Sequence, residues 1–279
     1  MTFAIAPDYA RSRSEVGPQW RDFWRELWFL WLPEYGGSGA ALFQPVGTDT
    51  TKRRTGVYPV TTRSIDNTLA FGRTLHGNNT QAAQLSWNIG STNLPTEIRT
   101  GLEASMYCLA IPRFPSTAAG MRPVLSIADA SSNNDLVIQN QTSTGNIVWG
   151  FYQPSTWRTV VLGPYNTNRW AVYGGSMTKA DGTNAILSGY RDGGLVAGPT
   201  SFAFTRTSTP ASGYVGVGSR GDSTTAGFTY GGVAAAAIWA RPLSAGEHYL
   251  LGVNPHGPWA RTQSVHFLPI NPLGVEGTR

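Results

Sequence analysis

Hydrolysis of a sugar bond needs two carboxyl groups facing one another, one as proton donor and one as base or nucleophile. On a strand that pair usually reads Glu-x-Asp-x-x-Glu, because alternate side chains share a face. None of the 16 acidic residues stands in that spacing. Glu97 and Glu103 come nearest, six apart and flanking a turn into a strand, which is a surface setting. The four histidines, His76, His248, His256 and His266, are scattered without a cysteine partner, so no zinc site is expected. No Gly-x-Ser-x-Gly, Walker loop or dinucleotide fingerprint occurs, and the chain is expected not to be an enzyme. Asp129-Ala-Ser-Ser-Asn-Asn-Asp135 spaces oxygen side chains like a calcium loop, with Asp129, Asn133 and Asp135 as ligands. The loop's glycine position holds Asn134 and its bidentate glutamate position holds Asn140. Asp, Ser and Asn are also ordinary turn residues, so no cofactor is expected and calcium is a weak candidate.

Binding chemistry is better represented. Trp149, Tyr152, Trp157 and Tyr165 fall near the ends of expected strands, where a ring can stack on a sugar or pack into a core. Residues 18–37 hold four tryptophans, at 20, 24, 28 and 31. Arg21, Asp22, Arg25 and Glu26 interrupt this block, and no uncharged apolar run reaches the ~18 residues of a spanning helix, so membrane insertion is not expected. Asn78-Asn-Thr80 and Asn140-Gln-Thr142 match the glycosylation triplet and read as polar loops.

Charged residues make up only 13% of the chain and apolar ones 41%, with 33 glycines. Low charge with many turn formers suits sandwiches and barrels. The net charge is +5, but the basic residues are scattered. Their one tight cluster, Lys52-Arg53-Arg54, reads as a solvated loop, and no basic stripe interleaved with aromatics suggests a nucleic acid. The single cysteine, Cys108, excludes an intrachain disulfide and sits in the apolar run Met106–Ile111, as a buried thiol would. The first fifteen residues lack a signal-peptide pattern, which suggests folding in a reducing cytoplasm.

Residues 1–17 read as a flexible polar arm. From Pro18, the residues Trp20, Phe23, Trp24 and Leu27 repeat at helical spacing. The run Leu27–Leu32 is apolar on both parities, which fits a continued helix or a strand buried on both faces. Ten short strands follow, at 68–71, 102–112, 123–127, 135–139, 146–151, 158–162, 169–173, 185–191, 214–218 and 233–240. Asp192-Gly193 predicts a tight hairpin with two positive φ angles. Ser244 and Glu247 form a capping box for a helix over 244–251, facing Leu243, Tyr249 and Leu250 inward and stopped by Pro255.

Trp170–Tyr173, Ala185–Gly194, Tyr214–Gly218, Phe228–Val233 and the closing Ala237-Ile-Trp-Ala-Arg-Pro-Leu-Ser-Ala-Gly-Glu-His-Tyr249 together resemble the concanavalin A-like, laminin G-like (LamG) jelly-roll family. At the front, Leu30–Pro33, Tyr35–Gly37 and Leu69–Phe71 also fit, so the likeness covers roughly residues 27–255. Two departures are Tyr190-Arg191 before the turn Asp and Gly246 before Glu247. The end, Asn254–Trp259 then Val265–Pro269, is similar to LamG proteins encoded among phage virion genes.

The resemblance implies an all-β, two-sheet antiparallel sandwich over 27–255, an N-terminal arm at 1–26 and a tail at 256–279. It implies a structural virion protein of a phage, in head decoration or in a tail or fibre, assembled in the host cytoplasm. The rival reading is a carbohydrate-binding lectin module for adhesion to host-surface glycans. Leu27–Leu32 would be the first strand, with Trp28 and Trp31 in or near the core. Trp20, Phe23 and Trp24 need a docking surface, either their own domain or a neighbouring subunit; the adjacent Arg11 and Arg13 favour other virion subunits, including copies of the chain itself.

Overall fold

The computed structural model describes residues 9–33, 40–43, 52–55, 64–68, 72–76, 85–89, 94–98, 103–111, 122–129, 136–141, 143–153, 156–165, 169–181, 183–204, 213–218 and 232–261. Sixteen strands occur among them: β1 (Leu27–Trp31), β2 (Ala40–Phe43), β3 (Lys52–Thr55), β4 (Ser64–Thr68), β5 (Gly72–His76), β6 (Leu85–Asn88), β7 (Ala104–Ile111), β8 (Arg122–Asp129), β9 (Leu136–Gln141), β10 (Asn146–Gln153), β11 (Thr156–Pro164), β12 (Ala171–Lys179), β13 (Asn184–Arg191), β14 (Gly194–Ala203), β15 (Gly213–Val217) and β16 (Gly232–Trp239). One α-helix, α1 (Ala245–Val253), follows.

Ten strands form one antiparallel sheet, ordered β14-β13-β12-β7-β16-β1-β2-β3, with β5 on β16 and β4 on β5. Six form the other, ordered β11-β10-β9-β8-β15-β6. This is the expected two-sheet sandwich. Between the sheets lies a core that includes Trp28, Phe29, Trp31, Trp87, Trp149 and Tyr173. A second core lies elsewhere on the larger sheet. It joins Leu27, Leu30, Tyr107, Leu109, Ala235, Ala237 and Trp239, which alternate with the inner set, to Phe23, Trp24, Leu251 and Trp259.

That arrangement settles the run Leu27–Leu32. It is a strand and not a helix, because a strand in the middle of a covered sheet buries both parities. β16 is likewise buried throughout and holds four consecutive alanines, which let a layer pack closely on each face. The Asp192-Gly193 hairpin has φ of 50° and 84°, as its type requires. The capping box is present: Glu247 N donates to Ser244 Oγ, and the Ser244 N donates to Glu247 Oε2.

Four expectations change. Lys52–Thr55 is an edge strand paired to β2, not a loop. Tyr249 and Leu250 face solvent, while His248 and Leu251 face inward. Residues 9–17 are no flexible arm, since Tyr9, Ala10 and Val16 are buried and Tyr9 bridges to Ala260. Pro18–Trp24 is a 3₁₀ helix, whose tighter repeat brings Trp20 and Phe23 together at 5.6 Å. The expected strand at 68–71 lies, beyond Thr68, outside the described residues.

Candidate functional site

The four sequence candidates for sugar stacking separate by strand parity. On β10, Ile147, Trp149 and Phe151 point into the core between the sheets. Trp149 is fully buried, its Nε1 donates to Ser176 O at 3.4 Å, and a Cβ on Gly175 would lie 2.3 Å from its ring. It is a core residue, and the stacking assignment is corrected there. Tyr165 is partly buried and packs against the same core. Tyr152 and Trp157 have the opposite parity. They face each other across the β10–β11 hairpin, with ring centroids 4.9 Å apart and planes at 44°, and both are half-buried.

This pair stands at one side of the outer face of the smaller sheet. Strand register extends that face through Thr159 and Val161 on β11, Val148 and Gly150 on β10, Gln139 and Val137 on β9 and Ser126 on β8. At the far side Tyr214 on β15 stands opposite Asn88 on β6, half-buried and exposed respectively. Three strand spacings separate β10 from β15, about 14 Å at ~4.8 Å each. Val137, Gln139, Val148 and Ser126 are buried, so the accessible part of this face is the Tyr152–Trp157 pair with Thr159 and Val161 at one side and Tyr214 with Asn88 at the other. Nothing singled out Tyr214 or Asn88 in sequence. The usable signal was parity, since core-facing Val215 and Val217 put Tyr214 outside.

The aromatic arm folds back on its own chain. Phe23 and Trp24 are buried in the second core and Trp20 packs against it. Trp24 Nε1 donates to Pro258 O at 2.8 Å, and Trp239 Nε1 donates to Phe23 O at 2.6 Å. Docking of Phe23 and Trp24 on another subunit is therefore corrected. The reason is local: the outer side of β1, β7 and β16 is as apolar as the inner side and needs a cover. Arg13 lies 4.0 Å from the exposed carboxylate of Asp22, and Arg11 N donates to Glu15 Oε2. Ser12, Arg13, Ser14 and Arg21 line an open cleft of about 400 Å³.

Asp129 ends β8 opposite Gly213, whereas Asn133 and Asp135 lie outside the described residues. Among the described residues no group of His, Cys, Asp and Glu could hold a metal. Asn140 is buried, and its Oδ1 accepts from Arg122 N at 2.5 Å. No described helix is long and apolar enough to cross a membrane.

The perturbed groups mark structure. Burial pushes the Cys108 thiol and the Tyr107 hydroxyl well up. Burial holds His248 down to about 3 and His256 down to about 4. Asp181 is lowered to about 2 by the Asn184 side chain and the Thr183 backbone, which close its own turn. For Glu247, burial raises the carboxyl, but hydrogen bonds from Arg241 and Ser244 outweigh it and lower the pKa.

No protein-family profile matches the chain, and no curated protein matches its sequence. Solved structures do. The Trypanosoma rangeli sialidase in complex with 2,3-difluorosialic acid aligns at TM-score 0.55 and 12% identity, over 84% of this chain and 33% of that one. The same sialidase with sialic acid aligns at 0.53, with the same identity and coverage. The likeness shows a shared fold. This chain spans a third of the length of those sialidase chains. The receptor-binding domain of botulinum neurotoxin type G aligns at 0.49 and 11% identity, over 82% of this chain and 51% of that one.

Proposed function

We propose that this protein is a non-catalytic carbohydrate-binding module whose ligand lies on the outer face of the smaller sheet. The observation behind this reading is the Tyr152–Trp157 pair, half-open beside Thr159, with Tyr214 and Asn88 across the same sheet. Sugars present alternating apolar and hydroxyl faces, and an aromatic ring beside neutral hydrogen-bonding groups matches both. The fold shared with a sugar-cleaving protein supports the same class. A binding role also suits the acids. Glu15 pairs with Arg261, Asp181 closes its own turn, Asp192 accepts from Val172 N, and Glu247 caps α1.

The decisive experiment is binding of the full chain to a panel of sialylated and neutral oligosaccharides, with Trp157→Ala and Tyr152→Ala beside the parent. Loss of either ring is expected to weaken binding by about tenfold, or ~1.4 kcal/mol, with little change in melting temperature. A parent that binds no sugar, or variants that bind as well as the parent, would sink the reading.

A second reading, a structural component of a phage virion, rests on the LamG-like closing segment. That segment forms β16, the following turn and α1, the order expected of a domain's last elements. The two readings are compatible, the sandwich serving as an adhesion domain on a particle assembled in the host cytoplasm. Fractionation of heads from tails tests it, and absence of the protein from both would reject it.

A further inference from the structure

Among the described residues six large hydrophobic side chains are exposed: Val161, Leu195, Val196, Tyr249, Leu250 and Val253. Five of them belong to two neighbouring elements. α1 turns His248 and Leu251 inward and leaves Tyr249 and Val253 61% and 64% exposed. The β13–β14 turn touches it directly, since a Cβ on Gly193 would lie 3.0 Å from Tyr249 Cα. Leu195, 52% exposed, pairs with Tyr190, whose ring stacks on His248 of α1 at 3.8 Å. Helix and strand therefore present one apolar surface around the Tyr190–His248 stack.

Charge beside this surface is paired: β14 has no ionisable side chain, Asp192 of the β13–β14 turn pairs with Arg169, and the charged residue of α1 is Glu247. That carboxylate is already held by Arg241 and by the Ser244 N–H. Among the described residues β14 is also the last strand of its sheet, and its pattern is exposed along nearly all ten residues. An uncovered apolar edge invites pairing, and natural edges are usually charged or covered.

We propose that the outer face of α1 and the start of β14 form the contact through which two copies of this chain associate about a two-fold axis. A two-fold axis sets a patch against itself, so the patch must be self-complementary. An apolar surface whose neighbouring charges are already paired within the chain meets that condition, because it sets no unpaired like charges against each other. The five side chains expose roughly 400 Å² per copy, comparable with the largest patch on a typical monomer. That area is enough for the apolar centre of an interface of ~800 Å² per partner, the size of a stable one. The dimer would carry two sugar faces, which raises avidity for a surface displaying many glycans.

The contact is independent of the sugar reading, because its test is a mass. Sedimentation and light scattering of the full chain at micromolar concentrations should give the mass of a dimer. Tyr249→Glu with Val253→Glu should give the mass of one chain at an unchanged melting temperature. Leu195→Lys, on the other element, should do the same, and it keeps the contact testable if the helix variant fails to fold. A parent that stays single over the whole concentration range would overturn the proposal, as it would if residues 262–279 of its own chain covered α1. A dimer untouched by the folded variants would also overturn it.

Discussion

Protonating His248 would place a cation between the Tyr190 ring and the buried hydroxyls of the larger sheet. Its Nε2 lies 2.9 Å from Ser176 Oγ, which itself donates to Leu243 O, so Nε2 donates to that hydroxyl. Burial dominates its depression to about 3, with Glu247 opposing and Arg241 reinforcing. His256, whose Nδ1 meets the Tyr9 hydroxyl at 3.0 Å, is lowered to about 4 by burial. Unfolded imidazoles titrate near 6.5, so between that value and the folded values the unfolded chain holds more protons. Stability from these two groups is complete above pH ~6.5 and falls as the pH drops towards ~4, by about 1.4 kcal/mol per unit for each ring. His248→Gln keeps a donor for Ser176 and removes one titration. Urea midpoints from neutral to mildly acid pH should therefore fall about half as steeply in the variant as in the parent. Equal slopes would show that His248 is not the acid-sensitive group.

Elements set by local chemistry were legible in sequence. The capping box, the Asp192-Gly193 hairpin and the doubly buried β1 each follow from a few adjacent residues, and the structure has all three. Met106–Leu109 and Val233–Trp239 were equally readable, because a continuous apolar run with small residues has one use in a covered sheet. Strands β2 to β6 and β14 were not foreseen. β3 is basic and β14 mixes Gly, Pro and Thr, so neither shows an alternating pattern; both are edge strands, held by one neighbour. The inner face of α1 was misread because the helix packs on the second core, on Tyr190 and, at Gly252, on the β13–β14 turn, which helical spacing cannot reveal. That partner gives a prediction in which two effects compete. In a free helix Gly252→Ala would stabilise by about 1 kcal/mol. Here the new Cβ would lie 2.3 Å from Gly193 N and 2.4 Å from Asp192 C, both backbone atoms. The clash should win, at a cost of about 2–3 kcal/mol. Denaturant unfolding checks the sign, and a variant more stable than its parent would mean that α1 does not rest on the hairpin.

Residues 9–24 and 255–261 close over one face of the larger sheet and hold each other there. Ala10 N donates to Trp259 O at 2.7 Å, and Glu15 meets Arg261 at 3.2 Å. Arg241, buried to 7% exposure, donates to Asp22 O and Arg25 O while bonding Glu247, so arm, helix and sheet share one guanidinium. Tyr107 from the middle of the sheet donates to Pro255 O at 2.9 Å. Spacing along the sequence could not distinguish this clasp from docking on a neighbour, because either use requires the same aromatic stripe, and the partners lie more than 200 residues away. Burial decides between them. Phe23 and Trp24 each remove ~200 Å² from water, worth about 5 kcal/mol apiece as an upper bound. Together they rival the ~5–15 kcal/mol that holds a whole domain folded. Removing residues 1–26 would also bare Trp239 and Trp259 and leave the Trp239 Nε1 without its acceptor. The truncated chain should then be insoluble or lack a cooperative melting transition, and Trp24→Ala alone should lose about 3–5 kcal/mol. A truncation that melts at the temperature of the full chain would show that the second core does not need its cover, and would return the arm to the role of a handle for other subunits.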